Sequence, residues 1–223
     1  MSTGCEYLDL LIGGLESDVV TTVYGPSGSG KTNTCMLVAA ETARKKGKVV
    51  YIDTEGGFST ERFKQITGDE FNTLLGKLVF LKPANFEEQK KCLEKLKEKI
   101  SADIKLIIVD TITMLYRLEL GKGDDIFEAN RALGRQLALL TEIARKMKIP
   151  VLITNQVYSN VENGSGVKMV GGDMIFYGSK CLVEIVKGHN SMRKAVLRKH
   201  RSMEENKEIN FKIIQTGLSC SNC

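Results

Sequence analysis

One octapeptide constrains this chain more than any other feature of its sequence. Residues 25 to 32 read Gly-Pro-Ser-Gly-Ser-Gly-Lys-Thr and match in full the G-x-x-x-x-G-K-[ST] phosphate-binding loop, or P-loop. The glycines let the backbone curl so that successive N–H groups point at phosphates. The lysine adds a mobile cation near the β- and γ-phosphates, and the threonine offers its hydroxyl to Mg²⁺. We therefore predict that the chain binds a nucleoside triphosphate.

The residues on either side of the loop support this prediction. A β-branched run at residues 19 to 24 precedes it, and residues 33 to 44 read as a helix. A strand that feeds the N-terminus of a helix is the arrangement in which such a loop binds phosphate. The residues predicted to contact the nucleotide are Gly25, Pro26, Ser27, Gly28, Ser29, Gly30, Lys31, Thr32 and Asn33.

Composition places the chain among single globular domains. Its 223 residues are enough for one substantial core, and 42% hydrophobic and 26% charged residues are ordinary values for a folded protein. No apolar run approaches the length of a membrane span, and the first residues lack a signal pattern, so we expect a cytoplasmic protein with no membrane partner. The net charge of +5 permits a polyanionic partner without requiring one.

Buried strand patterns alternate with amphipathic helices along most of the chain. Residues 48–54, 78–81, 104–109 and 150–154 read as parallel strands separated by helices. This order predicts an α/β fold with a mostly parallel central sheet and helices on both faces. Short strand-like segments at 181–186, 194–197 and 208–214 predict added antiparallel C-terminal strands. We assign one domain to residues 1–217 and a C-terminal tail to residues 218–223.

Two polar, glycine-rich regions resist assignment to a helix or a strand. They cover residues 117–125 and 158–172, and each follows a predicted strand or its immediate extension. In an α/β sheet the loops at the carboxyl ends of strands are where ligands bind. These regions are therefore candidate binding loops.

Polar residues follow the predicted strands near the P-loop. Asp110 closes four aliphatic residues and is expected, with Thr32, to orient Mg²⁺. A carboxylate in the run Asp53-Thr54-Glu55 could orient the attacking water, although a solvated strand-end acid explains the spacing equally well. Gln156 could bond the γ-phosphate through its amide, and its spacing alone is also ambiguous.

Several strings occur together in an order that narrows these alternatives. They are Ser2-Thr3-Gly4, the P-loop, Tyr51-Ile52-Asp53-Thr54-Glu55-Gly56, the strand ending at Asp110, Leu115-Tyr116-Arg117 and Ile153-Thr154-Asn155-Gln156-Val157. In this order the chain resembles the RecA/RadA recombinase family over nearly its whole length, and in its shortness it is most similar to archaeal members reduced to the ATPase core. The resemblance implies a RecA-like P-loop ATPase core with ATP and Mg²⁺ as cofactors.

The resemblance also implies roles for individual residues near the nucleotide. Glu55 would position the attacking water, and Lys31 and Gln156 would complete the catalytic set. Gln156 would also couple the γ-phosphate to the DNA-binding loop that follows it. Arg62 would stack near the adenine.

Two DNA-binding loops follow from the same resemblance. The first would contain Arg117 and Lys122, and the second would cover residues 158–170 and include Tyr158 and Lys168. Tyr158 opens the second loop and is a plausible platform for stacking a base, although a buried core tyrosine would explain its position as well.

Two departures from the family pattern point to an accessory role. Only 24 residues precede Gly25, so we expect the N-terminal DNA-binding domain of RadA to be missing, and the sequence has no Phe-x-x-Ala tetrapeptide of the kind that docks neighbouring family subunits into a filament. Independent strand exchange is therefore not expected. We predict a DNA repair and recombination accessory protein that binds single-stranded DNA, modulates a RadA-type recombinase and hydrolyses ATP weakly. A homodimer is among the expected assemblies.

The sharpest charge asymmetry lies at residues 187 to 201, which contain six lysines and arginines and no acid. We call these residues the basic segment. It could be a solvated edge, a contact for DNA phosphates, or an element that reaches the nucleotide of a neighbouring subunit. The sequence leaves these three interpretations open.

A different class of function remains as an alternative. A KaiC-like signalling ATPase or kinase that acts on protein partners would share the nucleotide-binding core without the nucleic acid. Proteins of that kind usually carry paired glutamates where this chain has the single Glu55 after Asp53-Thr54. This difference favours the recombinase interpretation.

Overall fold

The computed structural model describes residues 1–121, 126–159 and 167–220. The helices are α1 (Glu6–Ile12), α2 (Lys31–Arg44), α3 (Thr60–Thr67), α4 (Phe71–Leu75), α5 (Phe86–Lys99), α6 (Met114–Leu120), α7 (Ile126–Met147) and α8 (Gly172–Gly178). The strands are β1 (Val20–Gly25), β2 (Lys48–Asp53), β3 (Leu78–Leu81), β4 (Ile104–Asp110), β5 (Val151–Ser159), β6 (Val167–Met169), β7 (Cys181–Lys187), β8 (Met192–Lys199), β9 (Glu208–Ile214) and β10 (Gly217–Cys220).

Local sequence explains where several of these helices begin and end. The hydroxyl of Ser59 accepts a hydrogen bond from the backbone N–H of Arg62 and caps α3, and the Asn85 side chain caps α5 in the same way. Helix α1 ends at Gly13, which adopts a left-handed conformation with φ of 66°. These caps satisfy backbone groups that a helix leaves without partners.

The sheet combines a parallel centre with an antiparallel edge. Its strands lie in the order β10-β9-β8-β7-β1-β5-β4-β2-β3, and β6 pairs with β5 alone. The pairs among β7, β1, β5, β4, β2 and β3 are parallel, whereas β7, β8, β9 and β10 pair antiparallel. The predicted α/β class with added antiparallel C-terminal strands is confirmed.

The core lies on both faces of this sheet. One cluster contains buried side chains of α1 and α2 and the strand side chains that face them. In this cluster Tyr7 of α1 stacks on Phe211 of β9 with 4.4 Å between ring centroids. The other cluster packs α5 and α7 on the opposite face. Every residue of β1 is buried, as expected for a central parallel strand covered on both sides. The strand that carries the P-loop is therefore held rigidly.

The predicted boundary between domain and tail was wrong by a few residues. Strand β10 pairs with β9 in an antiparallel register from Gly217 opposite Ile214 to Cys220 opposite Phe211. Residues 218 to 220 thus belong to the sheet, and residues 221 to 223 lie outside the described part of the chain. These residues form a strand because they pair with β9, and their sequence alone does not indicate a strand.

The two regions that resisted assignment also contain regular structure. Helix α6 covers residues 114–120 because Leu115 and Tyr116 are buried against the core, and β5 continues to Ser159 and pairs with β6. Lys122 of the predicted first loop and residues 160–166 of the second lie outside the described residues. Among the helices that the structure describes, none is long and apolar enough to cross a membrane.

Candidate active site

The carboxyl ends of four adjacent parallel strands meet beside the P-loop. The register places Gly25 of β1 opposite Gln156 of β5, and Asp53 of β2 opposite Asp110 of β4. The resulting space of about 200 Å³, which we call the P-loop cleft, is lined by Ser27, Gly28, Gly30, Lys31, Thr32, Asn33, Glu55, Asp110, Thr111, Gln156 and Ile213. Strand order thus assembles residues that are distant in sequence.

Glycine is required at the first position of the loop because another strand passes close by. A Cβ atom on Gly25 would lie 2.3 Å from the carbonyl oxygen of Ile185 in β7. Gly30 has φ of 110° and precedes α2, a conformation that favours glycine. The loop is therefore shaped by the neighbouring β7 as well as by its own composition.

Lys31 is buried at the base of the cleft. Its Nζ donates hydrogen bonds to the carbonyl oxygens of Gly25 at 2.9 Å and Pro26 at 3.0 Å. Burial lowers the pKa of this ammonium group, and the carboxylates of Asp110 and Glu55 oppose that shift. The lysine is thus a desolvated cation whose charge is partly balanced by two acids, and its bonds to two loop carbonyls hold it at the P-loop.

Asp110 and Thr32 form the oxygen-rich corner where the sequence predicted a metal. Asp110 accepts hydrogen bonds from the hydroxyls of Tyr51 at 3.0 Å, Thr154 and Thr32. Burial raises the pKa of this carboxyl group, so a divalent cation beside it would offset the cost of its charge. A hydroxyl and a carboxylate side by side fit Mg²⁺, which is commonly held by one or two protein oxygens together with substrate phosphates. The described residues contain no cluster of three or more histidine, cysteine, aspartate or glutamate side chains that could hold a metal.

The structure separates the two acids that the sequence left equivalent. Asp53 is buried, and its carboxylate accepts the backbone N–H groups of Gly57 at 3.0 Å and Phe58 at 3.2 Å. It therefore holds the turn after β2. Glu55 instead lines the cleft, so it is the acid positioned to act on a bound ligand.

Three side chains form a continuous polar chain that leaves the cleft. Arg117 of α6 donates to Oε1 of Gln156 at 2.7 Å, and Nε2 of Gln156 donates to Oε1 of Glu55 at 2.5 Å. The same Glu55 oxygen accepts a bond from Thr111 at 3.3 Å. Burial and the charge of Asp110 raise the pKa of Glu55. We call Arg117, Gln156 and Glu55 the polar relay.

Arg62 lies beside the cleft and is bonded to residues at its edge. It donates to Asn33 Oδ1 at 2.6 Å and to the carbonyl oxygens of Ile214, Gln215 and Gly217 at 2.7, 2.7 and 3.0 Å. These bonds tie α3 to the turn between β9 and β10. The structure thus places the predicted adenine-stacking residue next to Asn33 but makes it a support for the C-terminal hairpin, which the sequence did not predict.

Two further predicted DNA-binding residues lie on the hairpin that β6 forms with the C-terminal end of β5. Tyr158 and Lys168 are cross-strand partners in the hairpin formed by β5 and β6, and both side chains are exposed. Tyr158 borders the same groove as Tyr116 and Arg117. At 51% exposure Tyr158 is a surface residue, not a core tyrosine.

Asn155 is a positioning residue that sequence reasoning passed over. It is fully buried, donates to the carbonyl oxygen of Val170 at 2.8 Å and accepts from the hydroxyl of Thr113. The backbone of its neighbour Gln156 also accepts the N–H of Val170 at 3.1 Å. An amide at the end of a buried strand was the available signal, because such a group must find partners.

Three of the six lysines and arginines of the basic segment are paired with acids of the same chain. Arg198 pairs with Glu184 at 2.7 Å, Lys194 with Glu208 at 3.0 Å and Arg201 with Glu16 at 2.9 Å. Lys199 lies 4.5 Å from the centre of the Phe176 ring. This part of the segment is therefore a solvated edge stabilised by local contacts.

Comparison with known proteins agrees with this arrangement. Residues 1 to 221 match the Rad51 family. The chain is 40% identical over 215 residues to the DNA repair and recombination protein RadB of Methanococcus maripaludis, covering 96% of this chain and 97% of that protein. It is 39% identical to the RadB protein of Methanococcoides burtonii, covering 97% and 96%.

A solved structure extends the likeness to three dimensions. The crystal structure of the RadB recombinase superposes with a TM-score of 0.82 at 34% identity and covers 97% of both chains. The sequence match and the structural match both span nearly the full chain. The chain therefore belongs to the Rad51 family, and RadB proteins are its full-length relatives there.

Proposed function

We propose that this protein is an ATP-binding accessory factor of DNA repair and homologous recombination. In this proposal it binds single-stranded DNA, modulates a RadA-type recombinase and hydrolyses ATP slowly. Full-length similarity to proteins named for DNA repair and recombination supports the cellular role. The P-loop cleft, with its buried lysine and its acid beside a threonine hydroxyl, supports the use of ATP and Mg²⁺.

The polar relay is the observation that carries the proposal. It joins the cleft to α6 and to β5, the two elements from which the predicted DNA loops extend. Gln156 bonds Glu55 with one end of its amide and Arg117 with the other. Both groups belong to one rigid amide, so a rotation that breaks one bond also moves the other group, and we propose that nucleotide and DNA influence each other through this side chain.

The same bonds support the slow hydrolysis that we propose. Glu55 is the acid that would orient the attacking water, yet its Oε1 already accepts bonds from Gln156 and Thr111. A raised pKa also reduces the fraction of Glu55 that is ionised at a given pH. When Arg117 binds a DNA phosphate, Gln156 is free to release Glu55, and we expect hydrolysis to rise.

Single-stranded DNA fits the exposed hairpin for a physical reason. Tyr158 offers a ring on which an unpaired base can stack, and Lys168 directly across from it offers a cation for the backbone. Stacking of this kind needs bases that are not already stacked in a duplex. We propose that a RadA-type recombinase bound to the same DNA strand meets this protein there, which would be the basis of modulation.

Fluorescence anisotropy of a labelled oligothymidine, measured with ATP, with ADP and without nucleotide, tests the proposal. We expect wild-type affinity to depend on the nucleotide, and Gln156→Ala to bind DNA as the nucleotide-free wild type does in all three states. Gln215→Ala is the matched control, because Gln215 is an exposed glutamine in the turn between β9 and β10. Absence of DNA binding at low salt in every nucleotide state would refute the proposal and favour a signalling ATPase.

A further inference from the structure

Two cations of the basic segment lie at the P-loop of their own chain. Lys187 is the last residue of β7, and Arg193 is its cross-strand partner on β8. Strand β7 runs parallel to β1 with Glu184 opposite Tyr24, so its last residues pass the point where β1 turns into the loop. The hairpin between β7 and β8 therefore carries both side chains to the phosphate-binding backbone.

The distances to Gly28, in the middle of the loop, are short. Nζ of Lys187 lies 3.2 Å from the position that a Cβ on Gly28 would occupy. An Nη atom of Arg193 lies 3.4 Å from the Gly28 carbonyl oxygen, and the Nε of Arg193 is buried without a hydrogen-bond partner among the described residues. A buried donor without a partner is costly, so a group that accepts its hydrogen bond would be stabilising.

These two residues differ in their electrostatics from three other cations of the basic segment. Within residues 1–121, 126–159 and 167–220 no carboxylate forms an ion pair with Lys187 or Arg193, whereas Lys194, Arg198 and Arg201 each have one. The charge of Lys187 also reaches Lys31, where it adds to the effect of burial in lowering the pKa. Cations around one loop repel each other, and an anion bound between them offsets that repulsion.

We propose that Lys187 and Arg193 bind the terminal phosphates of the nucleotide that their own P-loop holds. This inference rests on the proposed binding of ATP. The lysine acts as a point charge and the arginine as a fork of donors, a combination suited to phosphate oxygens. Because both lie on the same chain as the loop, the cationic contacts to the triphosphate form without a neighbouring subunit, and they favour ATP over ADP.

Isothermal titration calorimetry with ATP and with ADP, each with Mg²⁺, tests the proposal on the full chain. We expect Lys187→Ala and Arg193→Ala each to weaken ATP binding by roughly tenfold while ADP binding changes by about threefold or less. Lys194→Ala is the matched control, because Lys194 neighbours Arg193 but pairs with Glu208 and should bind ATP like the wild type. Thermal melting establishes that each variant is folded.

The outcomes separate this proposal from the proposed function. If the wild type binds ATP and the Lys187→Ala, Arg193→Ala double variant binds it equally well, the present inference is wrong and the proposed function stands. Loss of DNA affinity without nucleotide in that double variant, with ATP affinity intact, would instead assign the two cations to DNA. A wild type that binds no ATP would overturn both proposals.

A mixing experiment tests whether the contact is made within one chain. Lys31→Ala keeps the two cations but has a damaged loop, whereas the double variant keeps the loop but lacks the cations. We expect an equimolar mixture to bind no more ATP than the sum of its components. Restored binding in the mixture would show that the cations act on a neighbouring subunit and would overturn the inference.

Discussion

The P-loop cleft and the hairpin of β5 and β6 are connected by one strand, yet they are built in opposite ways. In the cleft, Lys31 and Asp110 are buried and bonded to the surrounding protein. On the hairpin, Tyr158 and Lys168 are exposed. The cleft is therefore organised before any ligand arrives, whereas the hairpin offers side chains that a ligand must order.

This difference has a cost on each side. A preorganised cleft needs no rearrangement on binding but keeps buried charges, which raises the pKa of Asp110 and Glu55 and lowers that of Lys31. An exposed hairpin keeps its groups solvated but must lose side-chain entropy when it binds. Gln156 lies at the junction of the two regions, and in our proposal a change in one region reaches the other through this side chain.

Lys31→Ala should produce the largest effect and confine it to the cleft. Removing the buried cation should weaken ATP binding by roughly a hundredfold or more, because a charge-assisted contact to phosphate is lost in a desolvated site. DNA binding without nucleotide should not change. Calorimetry and anisotropy measure the two affinities, and Lys45→Ala at the exposed end of α2 is the control. Equal loss of DNA affinity would show that the two regions are not separable in this way.

Glu55→Gln should greatly reduce ATP hydrolysis while leaving ATP binding nearly unchanged. The amide keeps the shape of the side chain but is a poor base, so hydrolysis should fall by roughly 10²- to 10⁴-fold with nearly unchanged ATP affinity. Phosphate release and calorimetry measure the two quantities. Glu61→Gln, an exposed acid on α3, is the control. A parallel loss of ATP affinity would indicate that Glu55 holds the metal.

Tyr158→Ala and Lys168→Ala should separate the contributions of base stacking and of charge to the DNA affinity of the hairpin. Loss of the ring should cost roughly 1–3 kcal/mol of DNA affinity with little change in salt dependence, because stacking is not ionic. Loss of the lysine should reduce the slope of log affinity against log salt by about 0.7, the value for one phosphate of a single strand. Tyr158→Phe keeps the ring and should retain affinity. A steep change in salt slope for Tyr158→Ala would contradict this division.

The smallest expected effect is that of Asp110→Asn on the pH dependence of the free energy of unfolding. It should show how much stability the buried carboxyl groups of the cleft cost. Because burial raises the pKa of Asp110 and of Glu55, the folded protein holds these protons to higher pH than the unfolded chain does. Their contribution to stability is complete below the ordinary carboxyl pKa and is lost as the pH rises through the raised values. Without Mg²⁺ or nucleotide, the free energy of unfolding should therefore fall over that window, and less so in Asp110→Asn. Urea titrations at several pH values measure this, and identical pH profiles would contradict it.

The fold was predictable because its signals are local and mutually consistent. A complete P-loop between a β-branched strand and a helix, followed by alternating strands and amphipathic helices, leaves few arrangements of the sheet. Strand β10 and helix α6 were missed because their order comes from pairing with β9 and from burial of Tyr116, and neither contact has a local signature.

The candidate site was predictable only in part. Strand-end positions pointed to Asp53, Glu55, Asp110 and Gln156, but spacing could not tell which acid lines the cleft. That choice depends on the turn after β2, where Asp53 bonds two backbone N–H groups and leaves Glu55 to face the P-loop.

The sequence by itself predicted a phosphate-binding loop, a parallel core sheet covered on both faces, and a resemblance to recombinases. These predictions rest on residue types that lie close together in the sequence, because such residues determine the conformation of their own stretch of backbone. Only the tertiary structure decided that Lys187 and Arg193 lie at the loop of their own chain while other cations of the basic segment are neutralised. Strand order brings β7 beside β1, and a charge acts on whatever lies nearest in space, at any distance along the chain.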